Sequence, residues 1–391
     1  MRLVKVPAMQ LQPGMFVAEL DRPWLETPFA LQGFMIKNDD EVLYIANYVD
    51  HVYIDADYQG SPRYLPAQIM DKKQVAKKID IKTEFEFAQV CFETATQTLD
   101  KVFDALRRGR QTDISAVTHT VRPLLDGVFR NKDALAALVR LQKASDYRYN
   151  HGISMAVWAA ILGRHIGLHH NELEKLVVGC AMCDVGMTRL SSEMLERAGP
   201  LDDDEKEAIQ QHTLVGAKMV AESGHDVDYE VLAIIENHHE RFDGSGYPRG
   251  IEGATVPLLA RIAGLVDAYD AMITPRNYAR AHSSFEATQE LIEAKDTLFQ
   301  GVLVEQFIQA IGLFPTGSLV ELNNGEVAIV VKQNAQRRLK PEVVVILDAQ
   351  KNPKPHYELI DLSHENLAGM RWIAYELQPG TYGINSEDFF L

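Results

Sequence analysis

Between residues 151 and 267 the chain places His151, Cys183, Asp184, His212, His238, His239 and Asp267, seven side chains able to give a lone pair to a cation. Each lies on or at the end of a segment with helical periodicity, so one bundle can turn them toward a common point. A single histidine on a helix face is more often a satisfied polar residue than a ligand; here the number and distribution carry the reading. Imidazole nitrogen and carboxylate oxygen together suit Fe, Mn, Zn or Ni, and two ions a few ångströms apart need about this many donors plus a carboxylate able to bridge. Two divalent ions are expected.

His238 and His239 end the apolar run of IIENHHERFDGSGYPRG (Ile234 to Gly250) and lead at once into a loop with three glycines and a proline in ten residues. Side chains one residue apart on a helix diverge by about 100°, so both imidazoles can serve one site only at its edge or where the helix ends. The loop can bring backbone amides close to a ligand. In ARIAGLVDAYDAM (Ala260 to Met272) small and apolar residues surround Asp267, which when buried needs a metal or a cationic partner. Asp270, one turn on, could instead be the buried carboxylate or could hydrogen-bond a neighbouring helix, and the sequence leaves this open. Cys180 and Cys183 form CAMC without the context of a redox motif or enough cysteines for a structural zinc. Cys180 reads as apolar filling and Cys183 as a donor position.

The elements that must hold these donors form a mainly α chain with β structure at both ends. Residues 1–60 are short, Val-, Ile- and Tyr-rich runs with breakers between them, including EVLYIANYVDHVYID (Glu41 to Asp55), and read as a small β-rich domain. Its aromatic residues Trp24, Phe29, Phe34, Tyr44 and Tyr48 read as core. Residues 61–83 have the composition of a linker. The period then becomes helical across 84–316, with segments near 84–109, 113–128, 131–146, 150–166, 171–182, 203–223, 228–237, 257–272 and 285–311. Within 317–391, β-branched runs at SLVELNNGEVAIVVKQN and KPEVVVILDA predict a β element before a mixed tail. A formal charge of -16 argues against a long nucleic acid as partner, although a local basic pocket can hold a small nucleotide. Three cysteines, no signal-peptide pattern and no apolar run of 18 residues lead to the expectation of a cytoplasmic protein without membrane insertion.

The stretches YNHG, CDVG, QHTLVGAKMV, NHHERFDGSGYPRGIEG, VPLLARIAGLVDAYDAM and TPRNYAR together resemble the HD-GYP domain, a branch of the HD metal-dependent phosphohydrolases, over about 140–315. The runs at 317–349 and 1–60 are similar to the β segments that often accompany such domains. The resemblance implies a multi-helix HD-type bundle around two or three metals, and a phosphodiesterase that opens a cyclic dinucleotide, chiefly cyclic di-GMP, to the linear dinucleotide. It assigns metal ligation by Fe, Mn or Zn to His151, Cys183, Asp184, His212, His238, His239 and Asp267, with Asp184 bridging. Arg276 matches a phosphate-binding arginine, and Gly246, Tyr247 and Pro248 form the signature tripeptide beside the substrate. As further partners it admits a second copy of the chain and a signalling protein such as a diguanylate cyclase.

Several positions depart from the family pattern. Cys183 stands where the motif opens with histidine, and Met187 replaces a lysine three residues after the aspartate. Losing a charge-assisted contact to phosphate is worth about 1.5 to 3 kcal/mol, or roughly one to two powers of ten in rate. Tyr147 occupies the position of the glutamate in three-metal members, which limits the expectation to two ions, and Asn277 and Ala279 leave Arg280 to supply a further charge. Two functions follow as expectations: a phosphodiesterase of reduced activity, or a catalytically inactive cyclic dinucleotide receptor or protein-interaction module.

Overall fold

A computed structural model describes residues 3–21, 34–36, 49–55, 81–141, 147–191, 202–224, 226–274, 281–334, 340–363, 371–378 and 380–384, with Val42, Ile45, Ala46, Met194 and Gly199. Two compact units divide the chain: Met1–Lys78 with Gly163–His169, and Ile79–Leu162 with His170–Leu391.

In the first unit, strands β1 (Leu3–Pro7), β2 (Phe16–Leu20), β3 (Phe34–Met35) and β4 (His51–Asp55) pair antiparallel in the order β1-β4-β2-β3. Alternation along β1 and β4 sends Val4, Val6, Val52 and Ile54 into a core shared with Met15, Val17 and Ile36. One expectation is corrected in this unit. Val42, Ile45 and Ala46 are helical, not extended. Val42, Ile45 and Val49 are all buried, and this i, i+3, i+7 spacing belongs to a helix although the residues themselves favour strands. Trp24, Phe29, Tyr44, Tyr48 and the side chain of Phe34 lie outside the described residues.

The second unit begins with two long antiparallel-packed helices, α1 (Ile81–Arg107) and α2 (Ser115–Leu141). The two helices expected at 113–128 and 131–146 run together as α2 with a break at Asn131, whose φ of -154° is not helical. Its Oδ1 accepts from the amides of Asp133 and Ala134 and so restarts the helix in the manner of an N-cap. Then follow α3 (Tyr147–His165), α4 (His170–Met182), α5 (Asp203–Gln210), α6 (His212–Ala221), α7 (Tyr229–Asn237) and α8 (Leu258–Ile273). The single segment expected at 285–311 is two helices, α9 (Ser284–Glu293) and α10 (Gly301–Ile311). Asp296 separates them: it adopts a left-handed φ of 58°, and its carboxylate accepts from the Gly301 amide at the start of α10.

A five-stranded antiparallel sheet of order β8-β7-β6-β5-β9 closes this unit: β5 (Leu319–Leu322), β6 (Val327–Lys332), β7 (Glu342–Leu347), β8 (Pro353–Asp361) and β9 (Ile373–Glu376). The first three are the expected strands, with Gly325 at a φ of 84° in the NNG turn. β8 and β9 add to them. Fold class is as expected, a mainly helical bundle with β elements before and after it in sequence. Among the described residues, no helix is long and apolar enough to cross a membrane.

Candidate metal centre

Five elements converge. α3 carries His151; α4 ends at Met182 so that Asp184 caps a short 3-10 helix, Val185–Arg189; α6 opens with His212; α7 ends just before His238 and His239; α8 carries Asp267 and Asp270. A Cβ on Gly186 would stand 2.0 Å from the His212 carbonyl oxygen, so glycine is what lets the 3-10 segment lie against the start of α6. Asp184 is thereby brought beside His212. α7 stops at Asn237, with Arg241 Nη1 donating to the carbonyls of His238 and Glu240, which satisfies oxygens left over at the helix end. The helix therefore ends where two adjacent imidazoles need it to end.

His212 and His238 form one half of the site. His212 Nδ1–H donates to the Ile209 carbonyl at 2.6 Å, and His238 Nδ1–H to the Ile235 carbonyl at 2.9 Å. A carbonyl can only accept, so in the neutral form of either ring the lone pair is on Nε2. These two Nε2 atoms face each other at 3.4 Å, with Asp184 Oδ1 at 3.4 Å from His212 and 4.0 Å from His238. Two lone pairs and a carboxylate oxygen so placed repel unless a cation lies among them. With ligand bonds of about 2.1 Å, two donors on one ion at right or tetrahedral angles stand roughly 3.0 to 3.4 Å apart. Burial, reinforced by the neighbouring His212, lowers the His238 pKa to about 4, so this ring is a neutral ligand at pH 7.

The other half is acidic. His151 Nδ1 donates to Asp270 Oδ2 at 2.7 Å, and its Nε2 lies 3.0 Å from Asp267 Oδ1 and 4.0 Å from Asp184 Oδ2. Trp158, two turns onward in α3, donates its indole N–H to the second oxygen of Asp270 at 3.0 Å. Both α8 aspartates thus serve the one histidine: Asp267 toward the site, Asp270 behind the ring. Burial pulls the His151 pKa down, but the hydrogen bonds to Asp267 and Asp270 outweigh it and raise it to about 10. Burial acts to raise Asp267, yet the His151 hydrogen bond and the facing imidazoles hold its carboxyl well below the usual carboxylate range. His239 Nδ1 lies 3.6 Å from Asp267 Oδ2. Asp184 therefore stands between the halves, one oxygen toward each.

Asp184, His212, His238 and His239 offer donor atoms all within 4.8 Å of one another, a cluster able to coordinate a metal ion. Cys183 is not among these four. Its Sγ lies 3.6 Å from Met155 Sδ, fully buried, and burial together with the Asp184 and Asp267 charges pushes the thiol well above its ordinary range. Cys180 is likewise fully buried, as its apolar reading requires. Met187 follows Asp184 by three residues on the 3-10 segment, where side chains three apart eclipse, so it shares the Asp184 face.

The glycine-rich loop covers the His239 side. The Tyr247 ring stacks on His239 with centroids 4.7 Å apart and planes at 29°. Burial, then the charges of Asp267 and Asp184, raise the Tyr247 hydroxyl above its ordinary pKa, so it stays a hydrogen-bond donor.

A family model described as an HD domain matches residues 131–302, which hold every donor named above. The helical region is an HD-type bundle. Its fold is HD-GYP-like, and a model described as a KOW domain associated with HD domain matches residues 319–368, while a domain of unknown function matches 3–117. The chain is 27% identical over 370 residues to a cyclic di-GMP phosphodiesterase of Pseudomonas aeruginosa, covering 92% of this chain and 89% of that protein. It is 30% identical over 193 residues to a cyclic di-GMP phosphodiesterase response regulator of Xanthomonas campestris pv. campestris, 46% of this chain and 51% of the relative. It is 28% identical over 155 residues to a 3'3'-cGAMP-specific phosphodiesterase of Vibrio cholerae, 40% of this chain and 30% of the relative. Of the last two, then, the chain spans about half or less.

The bundle brings His151, Asp184, His212, His238, His239, Asp267 and Tyr247 together, while Arg276, Asn277, Ala279 and Arg280 and the side chain of Tyr147 lie outside the described residues. Trp158 and the carboxylate clamp of Glu240, described below, had no part in the sequence reading. Asp270 did, and its spacing of three from Asp267 on one helix is the signal that both would meet the same neighbour.

Proposed function

We propose that the chain is a metal-dependent phosphodiesterase that opens a bacterial cyclic dinucleotide, cyclic di-GMP foremost, to the linear dinucleotide. The observation that carries this reading is the pair of facing Nε2 atoms of His212 and His238 beside Asp184 in a stretch that matches an HD domain. The names of the relatives supply the substrate class.

In this reading Asp184, His212, His238 and His239, whose donor atoms cluster, would hold divalent metal jointly with His151 and Asp267, two ions in all. Such ions supply Lewis acidity and a water acidified enough to attack a phosphodiester at neutral pH. The protein's part is positional. Asp270 and Trp158 hold the His151 ring, the carbonyls of Ile209 and Ile235 fix the His212 and His238 tautomers, and Asp184 sets the spacing of the two halves. Arg276, with Arg280, would offset charge on the phosphoryl oxygens, and the Gly246–Tyr247–Pro248 loop would seat the nucleotide. Cys183 stays a thiol beside Met155 and leaves ligation to the other six.

Met187 favours a second reading, a cyclic dinucleotide receptor without turnover, because no cation shares the Asp184 face at that position. Metal content by elemental analysis, paired with a cyclic di-GMP hydrolysis assay with Mn²⁺ and with chelator, separates the two. Linear product that depends on metal supports the enzyme; tight binding without product supports the receptor.

A further inference from the structure

Four consecutive residues at the end of α7 divide two tasks. His238 and His239 present ring nitrogens to the metal centre, while Asn237 and Glu240, on either side of them, face the glycine-rich loop. Glu240 is 5% exposed, and among the described residues no cation pairs with it. Instead its Oε1 accepts from the Arg249 backbone N–H at 2.8 Å and its Oε2 from the Ile251 N–H at 3.1 Å. Asn237 Oδ1 accepts from the Arg249 guanidinium at 2.6 Å. At the other end of the loop the Tyr247 N–H donates to the His239 carbonyl at 3.2 Å, and a Cβ on Gly246 would stand 2.4 Å from both that oxygen and the Arg241 nitrogen. Loop and ligand are thus joined through the His239 carbonyl and the side chain of the next residue, Glu240.

We infer that Glu240 is a positioning residue that registers the Gly246–Pro248 loop on the metal centre, fixing the Tyr247 ring against His239. A buried carboxylate is costly to keep, and two backbone N–H groups aimed at its two oxygens are the arrangement that offsets the cost. Those donors belong to the loop, so the offset is lost whenever the loop lifts. Because Glu240 directly follows His239, the loop cannot shift relative to the ligand ring without breaking one of these bonds. The inference deepens the proposed function, since a loop so held would set how a cyclic dinucleotide seats.

Hydrogen exchange on the full-length, metal-loaded protein tests the clamp without substrate. In E240Q only one carbonyl oxygen remains for two donors, so the Arg249 and Ile251 amides should exchange about tenfold faster or more, the size expected for a lost charge-assisted bond. Metal content and exchange in Val231–Ile235 should stay at wild-type values. Unchanged protection at Arg249 and Ile251 overturns the inference, and so does loss of metal together with protection throughout α7, which would make Glu240 a folding residue. Where E240Q does not fold, E240D keeps the charge but shortens the reach, and wild-type protection in that variant overturns the inference equally. If the wild type hydrolyses cyclic di-GMP, E240Q should raise KM at least about tenfold with kcat within about threefold; the reverse split counts against it. A wild type that neither binds nor turns over the dinucleotide removes the proposed function and leaves the exchange result to decide the clamp.

Discussion

His212 and His238 point their Nε2 atoms at each other across 3.4 Å, each held there by an Nδ1–H given to a carbonyl three residues earlier in its own chain segment. Without a cation that arrangement is unstable to acid, and the sign can be worked out. His238 has a folded-state pKa of about 4, below the ordinary 6.5, so between these values the unfolded chain binds more protons and stability falls as pH falls. His151 is the opposite case, raised to about 10, so its contribution is complete below pH 6.5 and is lost as pH rises toward 10. Chelated protein should therefore be most stable near pH 6.5. Its melting temperature should drop on both sides, the acid limb worth up to about 3 kcal/mol. A flat profile from pH 4 to 10 in chelator would contradict the assigned tautomers.

Asp270 shares its two oxygens between His151 and Trp158, at 2.7 and 3.0 Å. Replacing the carboxylate behind a ligating histidine typically costs about 10 to 100-fold in metal affinity. D270N should show that loss in a competition titration with a chromophoric chelator, and W158F a smaller one, since it removes a donor to Asp270 and leaves the His151 bond. Wild-type affinity in D270N would mean that His151 is held by packing alone.

How far the site was legible follows from these same residues. The adjacency of His238 and His239 required a helix end, and α7 ends there. Asp267 and Asp270 could not be told apart because both face one histidine, a fact of the α3 to α8 packing and not of either helix's sequence. Cys183 reads as a donor position in the sequence, and position along a chain does not reveal that its sulfur lies 3.6 Å from Met155 Sδ, outside the four-donor cluster. β8 escaped notice for a different reason: PKPHYELID lies at the edge of its sheet with most side chains exposed, so it shows no apolar alternation. The helical state of Val42, Ile45 and Ala46 was hidden by strand-favouring residues whose spacing, not identity, held the signal.

Cys183 and Met187 make opposite predictions. The Cys183 thiol sits against Met155 outside the four-donor cluster, so C183A should keep its metal and its turnover within about twofold, at a stability cost of about 1 kcal/mol for the small cavity. Metal loss in C183A would restore the thiolate as a ligand. M187K, by contrast, puts a cation on the Asp184 face and should raise cyclic di-GMP turnover by roughly ten- to a hundredfold. No gain, in a variant that still holds metal, would shift support to the receptor.

The C-terminal sheet is tied to the helical bundle by one buried ion pair. Arg140 of α2 donates to Glu376 Oε1 of β9 at 2.9 Å, with the Glu376 side chain 1% and the Arg140 side chain 10% exposed. The second Glu376 oxygen accepts from the Phe285 amide in the first turn of α9 at 2.9 Å, so one carboxylate joins three elements and takes up a free N–H of a helix start. Removing one partner leaves a buried charge uncompensated, which typically costs about 3 to 5 kcal/mol, whereas removing both costs less than the two single changes together. R140A and E376A should each lower the denaturant midpoint strongly, and the double variant should recover part of the loss. E376Q separates charge from geometry, because its amide carbonyl can still serve Phe285 while the pairing with Arg140 weakens. Additive single-variant losses would show that the two side chains act separately and that their pairing does not fasten the sheet.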